Sequence, residues 1–244
     1  DSNKFKKVAV QITPFSFSFY QLWKKESASI EQFKSELLTS IPPRLDSLLS
    51  ELQINISDQD VEPATALAQS NYPPPPNAII FIKVKSYFDS NQVEIELLKF
   101  AEKIQGFVVS ESIILNDEKK SQLGKRAEGF SQIVFLEKPE SMSSFDWFHH
   151  WTNHHTKIAI ETQSNFIYIQ NTVVRPLKED ATNFIAIIEE CFPEEAMADS
   201  EVFYNAKGDE EMLQRNAKIM MDSCNQFIDF NKIEVIPTSR YRII

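Results

Sequence analysis

The chain has 244 residues, 42% hydrophobic and 25% charged, with 25 basic against 35 acidic side chains and a net charge of −10. That is enough apolar material for one large domain or two smaller ones. The acidic balance has no basic stripe and excludes a nucleic-acid partner, and no apolar run approaches the roughly 20 residues that cross a bilayer.

Four glycines (Gly106, Gly124, Gly129, Gly208) cannot write a phosphate-cradling loop, and no Gly-x-Ser-x-Gly elbow or His-Glu-x-x-His is present. Cys191 and Cys224 are too few for a disulfide framework and read as buried thiols in a reducing compartment. The first residues carry no signal-peptide pattern, so a cytoplasmic location is expected.

Residues 7–13 alternate Val8, Val10 and Ile12 and predict a strand. Phe15, Phe17, Phe19 and Tyr20 then alternate with serine and meet Trp23. They read either as an aromatic lip over a cavity or as a strand packed on its own domain. Residues 30–50 carry Ile30, Phe33, Leu37, Ile41 and Leu45 at helical spacing, kinked at Pro42 and Pro43. A strand follows at 51–56, then a long connection at 61–77 that ends in four stiff prolines. Residues 78–85 predict a strong strand, 91–104 a helix stopped by Gly106, and 107–115 another strand. The polar, turn-rich stretch 116–128 marks a boundary.

The same grammar then repeats. Residues 130–136 predict a strand, 143–160 a helix, and 166–174 a strand. Residues 183–191 read as a strand or short helix, 209–224 as a helix, and 227–241 as a strand. The expected fold is α+β, with two ferredoxin-like βαββαβ repeats at 1–116 and 117–244. Their antiparallel sheets would pack as one barrel inside the chain.

Residues 143–159 hold all four histidines and two of the three tryptophans. Phe148, Trp151, His155 and Ile158 fall on one side of a helix. That stripe faces either a cavity or the helix's own sheet. On the strand after it, Ile167, Ile169 and Val173 are expected under helices. Phe166, Tyr168, Gln170 and Thr172 then form either a pocket wall or a partly solvated face.

These residues resemble the EthD-like family of dimeric α/β-barrels. The resemblance rests on Trp151-x-x-x-His155 behind the strand 130–136, the run His154-His-Thr-Lys-Ile-Ala-Ile-Glu-Thr-Gln163, and Gln170-Asn-Thr-Val-Val-Arg175. Cys191-Phe-Pro-Glu-Glu, Glu201-Val-Phe-Tyr and Phe227-Ile-Asp-Phe match in style. It covers 130–243, whereas the first half shares only the order of elements. The family is named for ether degradation and includes proteins of aromatic and polyketide pathways. Related barrels include cofactor-free monooxygenases, cyclases and haem-binding enzymes.

The resemblance and the residues together lead to two readings. One is an enzyme without a bound cofactor, acting by acid/base chemistry on a small apolar or aromatic molecule. In it His155 moves the proton, Tyr168 and Gln170 orient polar groups, and Trp151, His154 and Phe166 shape the binding wall. The other is a non-catalytic binding or scaffold protein, in which His155 is a core histidine. A metal is not expected. Asp146 to His154 spans about 12 Å of helix rise, and a capping box with Ser143 explains the aspartate. A haem would need an accessible axial histidine, His154 or His155. No nucleic acid or membrane is expected as partner, and a homodimer is.

Overall fold

The alternation after Phe15 builds β1 (Ser16–Lys24), the middle of the first sheet, rather than a lip. The computed structural model describes residues 16–86 and 90–244, so Phe15 and the strand expected at 7–13 lie outside the described residues. Next come α1 (Ile30–Thr39) and α2 (Pro42–Leu45), split where Pro42 and Pro43 interrupt the helical pattern. Ser29 opens α1 by accepting a hydrogen bond from the Gln32 amide at 3.1 Å. Then follow β2 (Leu49–Ile56), the two-residue β3 (Gln69–Ser70), β4 (Ala78–Val84), α3 (Ser90–Leu97) and β5 (Ala101–Asn116).

The second half gives β6 (Phe130–Leu136), α4 (Ser144–His150), a π-helical turn (Trp151–His155) and α5 (Thr156–Thr162). It continues with β7 (Ile167–Pro176), β8 (Ala186–Phe192), α6 (Ser200–Phe203), α7 (Glu210–Phe227) and β9 (Ile233–Arg242). Residues 183–191 thus resolve as a strand.

The strand order is β2-β4-β1-β5-β7-β8-β6-β9, and β9 pairs back onto β2. The pairings between these strands are all antiparallel. Eight strands therefore close a barrel, with β3 as an appendage on β9. Within each half the order is that of a ferredoxin-like unit, β5-β1-β4-β2 and β9-β6-β8-β7. Two seams, β5 with β7 and β9 with β2, join the units.

Closure buries both faces of the sheet. Outside, α1, α2 and α3 cover Tyr20, Leu52, Ile54, Ile80 and Ile82 with Phe33, Leu37, Leu45 and Val93. Inside, one end of the barrel is aromatic: Phe19, Phe81, Phe107, Phe135 and Phe184 pack together. Deeper in, Glu189 accepts from Arg240 Nε at 2.9 Å, Gln53 Nε2 at 2.9 Å and Ser131 Oγ at 2.8 Å. The barrel interior thus holds an aromatic cluster and one buried ion pair, and Phe19, Phe81, Ile169, Glu189 and Arg240 also line a cavity of about 360 Å³.

Three expectations are corrected. The helix expected over 91–104 ends at Leu97, and Gly106 lies inside β5 rather than capping a helix. Gly106 pairs with Tyr20, and a Cβ there would stand 2.6 Å from the Tyr20 ring, so the glycine permits a close approach. The faces of β7 are also the reverse of those expected. Ile167 and Ile169 point into the barrel, while Tyr168 packs under the helices against Trp151. In a closed barrel both faces are buried, so polarity does not say which one is inner. Last, the helical stripe is Trp147, Trp151, His155 and Ala159, at steps of four, whereas Phe148 and Ile158 are only half-buried. An α-helix at about 3.6 residues per turn would rotate such a repeat off one face. The π turn, closed by the Thr156 amide donating to the Trp151 carbonyl, absorbs the surplus.

Candidate functional site

α4, the π turn, α5 and α7 lie across the outer face of β6, β7, β8 and β9. Ser143 caps α4 by accepting from the Asp146 amide at 3.0 Å, which accounts for Asp146 structurally. Asp209 caps α7 by accepting from the Met212 amide at 2.9 Å. α7 buries Asn216, Met220, Ser223 and Phe227, a helical repeat that faces the sheet. The helices are fastened to one another by polar contacts. Trp147 Nε1 donates to the Phe227 carbonyl at 2.8 Å. His155 Nδ1 lies 3.0 Å from Ser223 Oγ, and its ring packs tilted against Phe227 with centroids 4.7 Å apart.

A cavity of about 130 Å³ remains between this helix layer and the sheet. Trp151, His155, Met220, Cys224 and Phe227 form its helix side. Val134, Leu136, Ile188, Ile233 and Val235 give an apolar floor. Across that floor runs one polar row, Gln132, Glu190 and Tyr168, which are direct register neighbours on β6, β8 and β7. Gln163, just past the end of α5, also lines it.

Glu190 dominates the electrostatics. It is buried and accepts a hydrogen bond from the Asn165 side-chain amide at 3.0 Å. Burial pushes its carboxyl up to about 7, only partly opposed by that bond. Its chain neighbour Glu189 shows the opposite case. Burial pushes Glu189 up, but the Arg240 guanidinium and the bonds from Gln53, Ser131 and Asn55 outweigh it and hold the carboxyl low. Adjacent carboxylates on opposite faces of one strand are therefore driven apart. His155, pressed by burial and then by His150, falls to about 4 and is uncharged at neutral pH. Burial lifts the Cys224 thiol to about 12, which keeps it protonated.

Of the site residues expected from sequence, Trp151, His155 and Tyr168 meet in this wall. The other three stand outside it. His154 is exposed and its ring lies against His149 and His150. Phe166 is half-buried beneath Lys120. Gln170 sits behind the wall and donates to Thr156 Oγ1 at 2.7 Å and Tyr168 Oη at 3.1 Å. Glu190, Gln132 and Gln163 were not singled out by the sequence reading. The available signal was the pair Glu189-Glu190 inside an otherwise apolar run, since a buried strand must turn one of them to each face.

The helix side of the site and its β7 and β8 residues fall in one recognisable segment, whereas its β6 and β9 residues flank that segment. Residues 139–231 match the EthD domain. The EthD segment thus spans the helix layer, β7, β8 and α7, and the fold around it is that of the dimeric α/β-barrels. An anthrone oxidase-like protein of known structure superposes with a TM-score of 0.55 at 7% identity, over 93% of each chain. A mutant chlorite dismutase from Candidatus Nitrospira defluvii, in complex with cyanide, gives 0.48 at 6% identity over 94% of this chain and 91% of that one. No curated protein sequence matches the chain.

The residues around the EthD cavity do not fit a haem. The space is close to the roughly 150 Å³ that holds a single benzene ring, and His155 is 6% exposed with Nδ1 already bonded. Among the described residues, no group of three or more His, Cys, Asp or Glu side chains is placed to hold a metal ion. No helix among them is long and apolar enough to cross a membrane.

Proposed function

We propose that the EthD unit is an acid/base enzyme that works without a cofactor on a small, mostly apolar ring-sized molecule held between its helices and sheet. The observation that carries this is Glu190: a buried carboxyl, with no cation paired to it among the described residues, poised near pH 7 on the floor of a ring-sized cavity. Near neutrality such a group holds both protonation states in quantity, which suits it to take a proton from a carbon or oxygen and return it. His155, the residue first expected to move the proton, is kept uncharged by burial. In this reading it acts as a neutral hydrogen-bonding wall. Trp151 and Tyr168 shape the space, and proton transfer, cyclisation, dehydration or decarboxylation of a ring-sized substrate are the reactions it supports.

The two repeats are proposed to divide at 116/117, so that the chemistry belongs to the second and the first supplies the other half of the barrel. The test is protein-dependent hydrogen–deuterium exchange into a panel of ring-sized carbon acids, followed by NMR in D₂O. Exchange by the parent protein and its loss in a folded Glu190→Gln variant is the expected result. Binding without exchange would move the protein to the alternative reading, a non-catalytic small-molecule binder.

A further inference from the structure

Gln163 follows the last turn of α5, where its backbone leaves the helix in an extended conformation (φ −121°, ψ 162°) and its amide still bonds the Ala159 carbonyl at 3.2 Å. That turn brings the side chain to the cavity wall, where it is 5% exposed. Its Oε1 is closed off from solvent and has no hydrogen-bond partner among the described residues. A buried carbonyl oxygen left in this state costs free energy, and native structures rarely keep one without a purpose.

We propose that Gln163 selects the ligand: its free Oε1 accepts a hydrogen bond from an O–H or N–H on an otherwise apolar, neutral, ring-sized molecule. The inference rests on the reading of this cavity as a ligand site. Three features favour that ligand over others. The volume of about 130 Å³ limits it to about one ring. The apolar floor favours a hydrocarbon body. The Glu190 carboxyl on the same wall disfavours an anion, because an ionised ligand would be desolvated beside a buried carboxyl that itself resists ionisation. A ligand without a donor would fill the cavity but leave Gln163 Oε1 unpaired. A site that leaves its own buried polar group unpaired rejects such analogues strongly.

The test is a titration of the intact protein, followed by protein-observed NMR, with phenol, anisole, benzene and benzoate as probes. Phenol carries the donor, anisole masks it, benzene lacks it and benzoate adds charge. Phenol is expected to bind at least about tenfold more tightly than anisole, which is the discrimination that one unpaired buried acceptor produces. Benzoate is expected to bind no better than anisole. Gln163→Leu should bring phenol to within about threefold of anisole while leaving benzene unchanged. If that variant fails to fold, Gln163→Met serves the same comparison. Equal binding of phenol and anisole by the parent protein overturns the assignment, as does a phenol preference that survives the substitution or benzoate binding on a par with phenol. In each of those cases the cavity still binds rings, so the proposed function stands. If none of the four probes binds, the cavity is not a ligand site and both readings fall together.

Discussion

His155 Nδ1 and Ser223 Oγ are 3.0 Å apart, and the same hydroxyl lies 3.2 Å from His150 Nε2. One serine on α7 thus serves two rings of the facing helix and fixes their spacing on the buried side.

This arrangement predicts a specific acid sensitivity. The His155 ring falls from its ordinary 6.5 to about 4 because the folded state resists its protonation. The stability it contributes is complete above pH 6.5 and is lost as pH falls through about 4. Melting temperatures measured from pH 7.5 to 4 should decline for the parent protein and decline less for His155→Gln. Parallel declines would assign the acid limb to other groups.

Glu190 predicts the opposite slope. Its carboxyl rises from 4.5 to about 7, so the folded state holds a proton that the unfolded chain releases. Its contribution is intact below pH 4.5 and is lost as pH rises through about 7. Glu190→Gln should therefore melt higher than the parent at pH 8 and within experimental error of it at pH 4. A variant that is less stable at pH 8 would show that the charged carboxylate gains more from its partners, Asn165 among them, than burial costs it.

Trp151 is 1% exposed between helix and sheet. Trp151→Ala should cost about 3–5 kcal/mol in denaturant unfolding. A cost under about 1 kcal/mol would mean that the helix layer collapses onto the space without strain.

The Glu189–Arg240 pair is buried on both sides, at 2% and 5% exposure. Arg240→Met leaves a carboxylate in the barrel without its cation and should destabilise by about 3–5 kcal/mol. Adding Glu189→Gln to that variant should recover a substantial part of the loss. No recovery would show that the arginine acts through packing rather than charge.

Gly129 and Gly124 both have positive φ, but only one is hemmed in. A Cβ at Gly129 would stand 1.8 Å from the Phe192 carbonyl oxygen, whereas at Gly124 nothing lies within 4 Å. Gly124→Ala should cost about 1–2 kcal/mol from the left-handed backbone alone. Gly129→Ala should cost clearly more in the same unfolding measurement, and equal costs would refute the steric account.

Much of the architecture was legible because it is written in periodicities. The strands expected at 51–56, 78–85 and 130–136 fall on β2, β4 and β6, and the repeat of element order pointed to two ferredoxin-like units. The residues that were misread share a cause. Gly106 looked like a helix stop because the contact that requires it, the ring of Tyr20, comes from a strand more than eighty residues away. The faces of β7 were inverted because a barrel buries both. The π turn is invisible to a search at helical spacing, which picked Phe148 and Ile158 over Trp147 and Ala159. Glu190 was passed over because its run is otherwise apolar, although a charged residue in such a run is where environment most alters chemistry.

The two seams that close the barrel join segments of one polypeptide. A barrel made from two identical subunits must carry two identical helix-covered faces, and any change that opens a cavity on one opens it on the other. Here the halves are free to differ. The first half covers its face with Phe33, Leu37, Ile41 and Leu45 and contains no histidine. The second places a titratable carboxyl, an uncharged imidazole and an unpaired amide oxygen around an opening. Covalent linkage has thus released the chain from symmetry, so that one face keeps the barrel rigid while the other is open to variation.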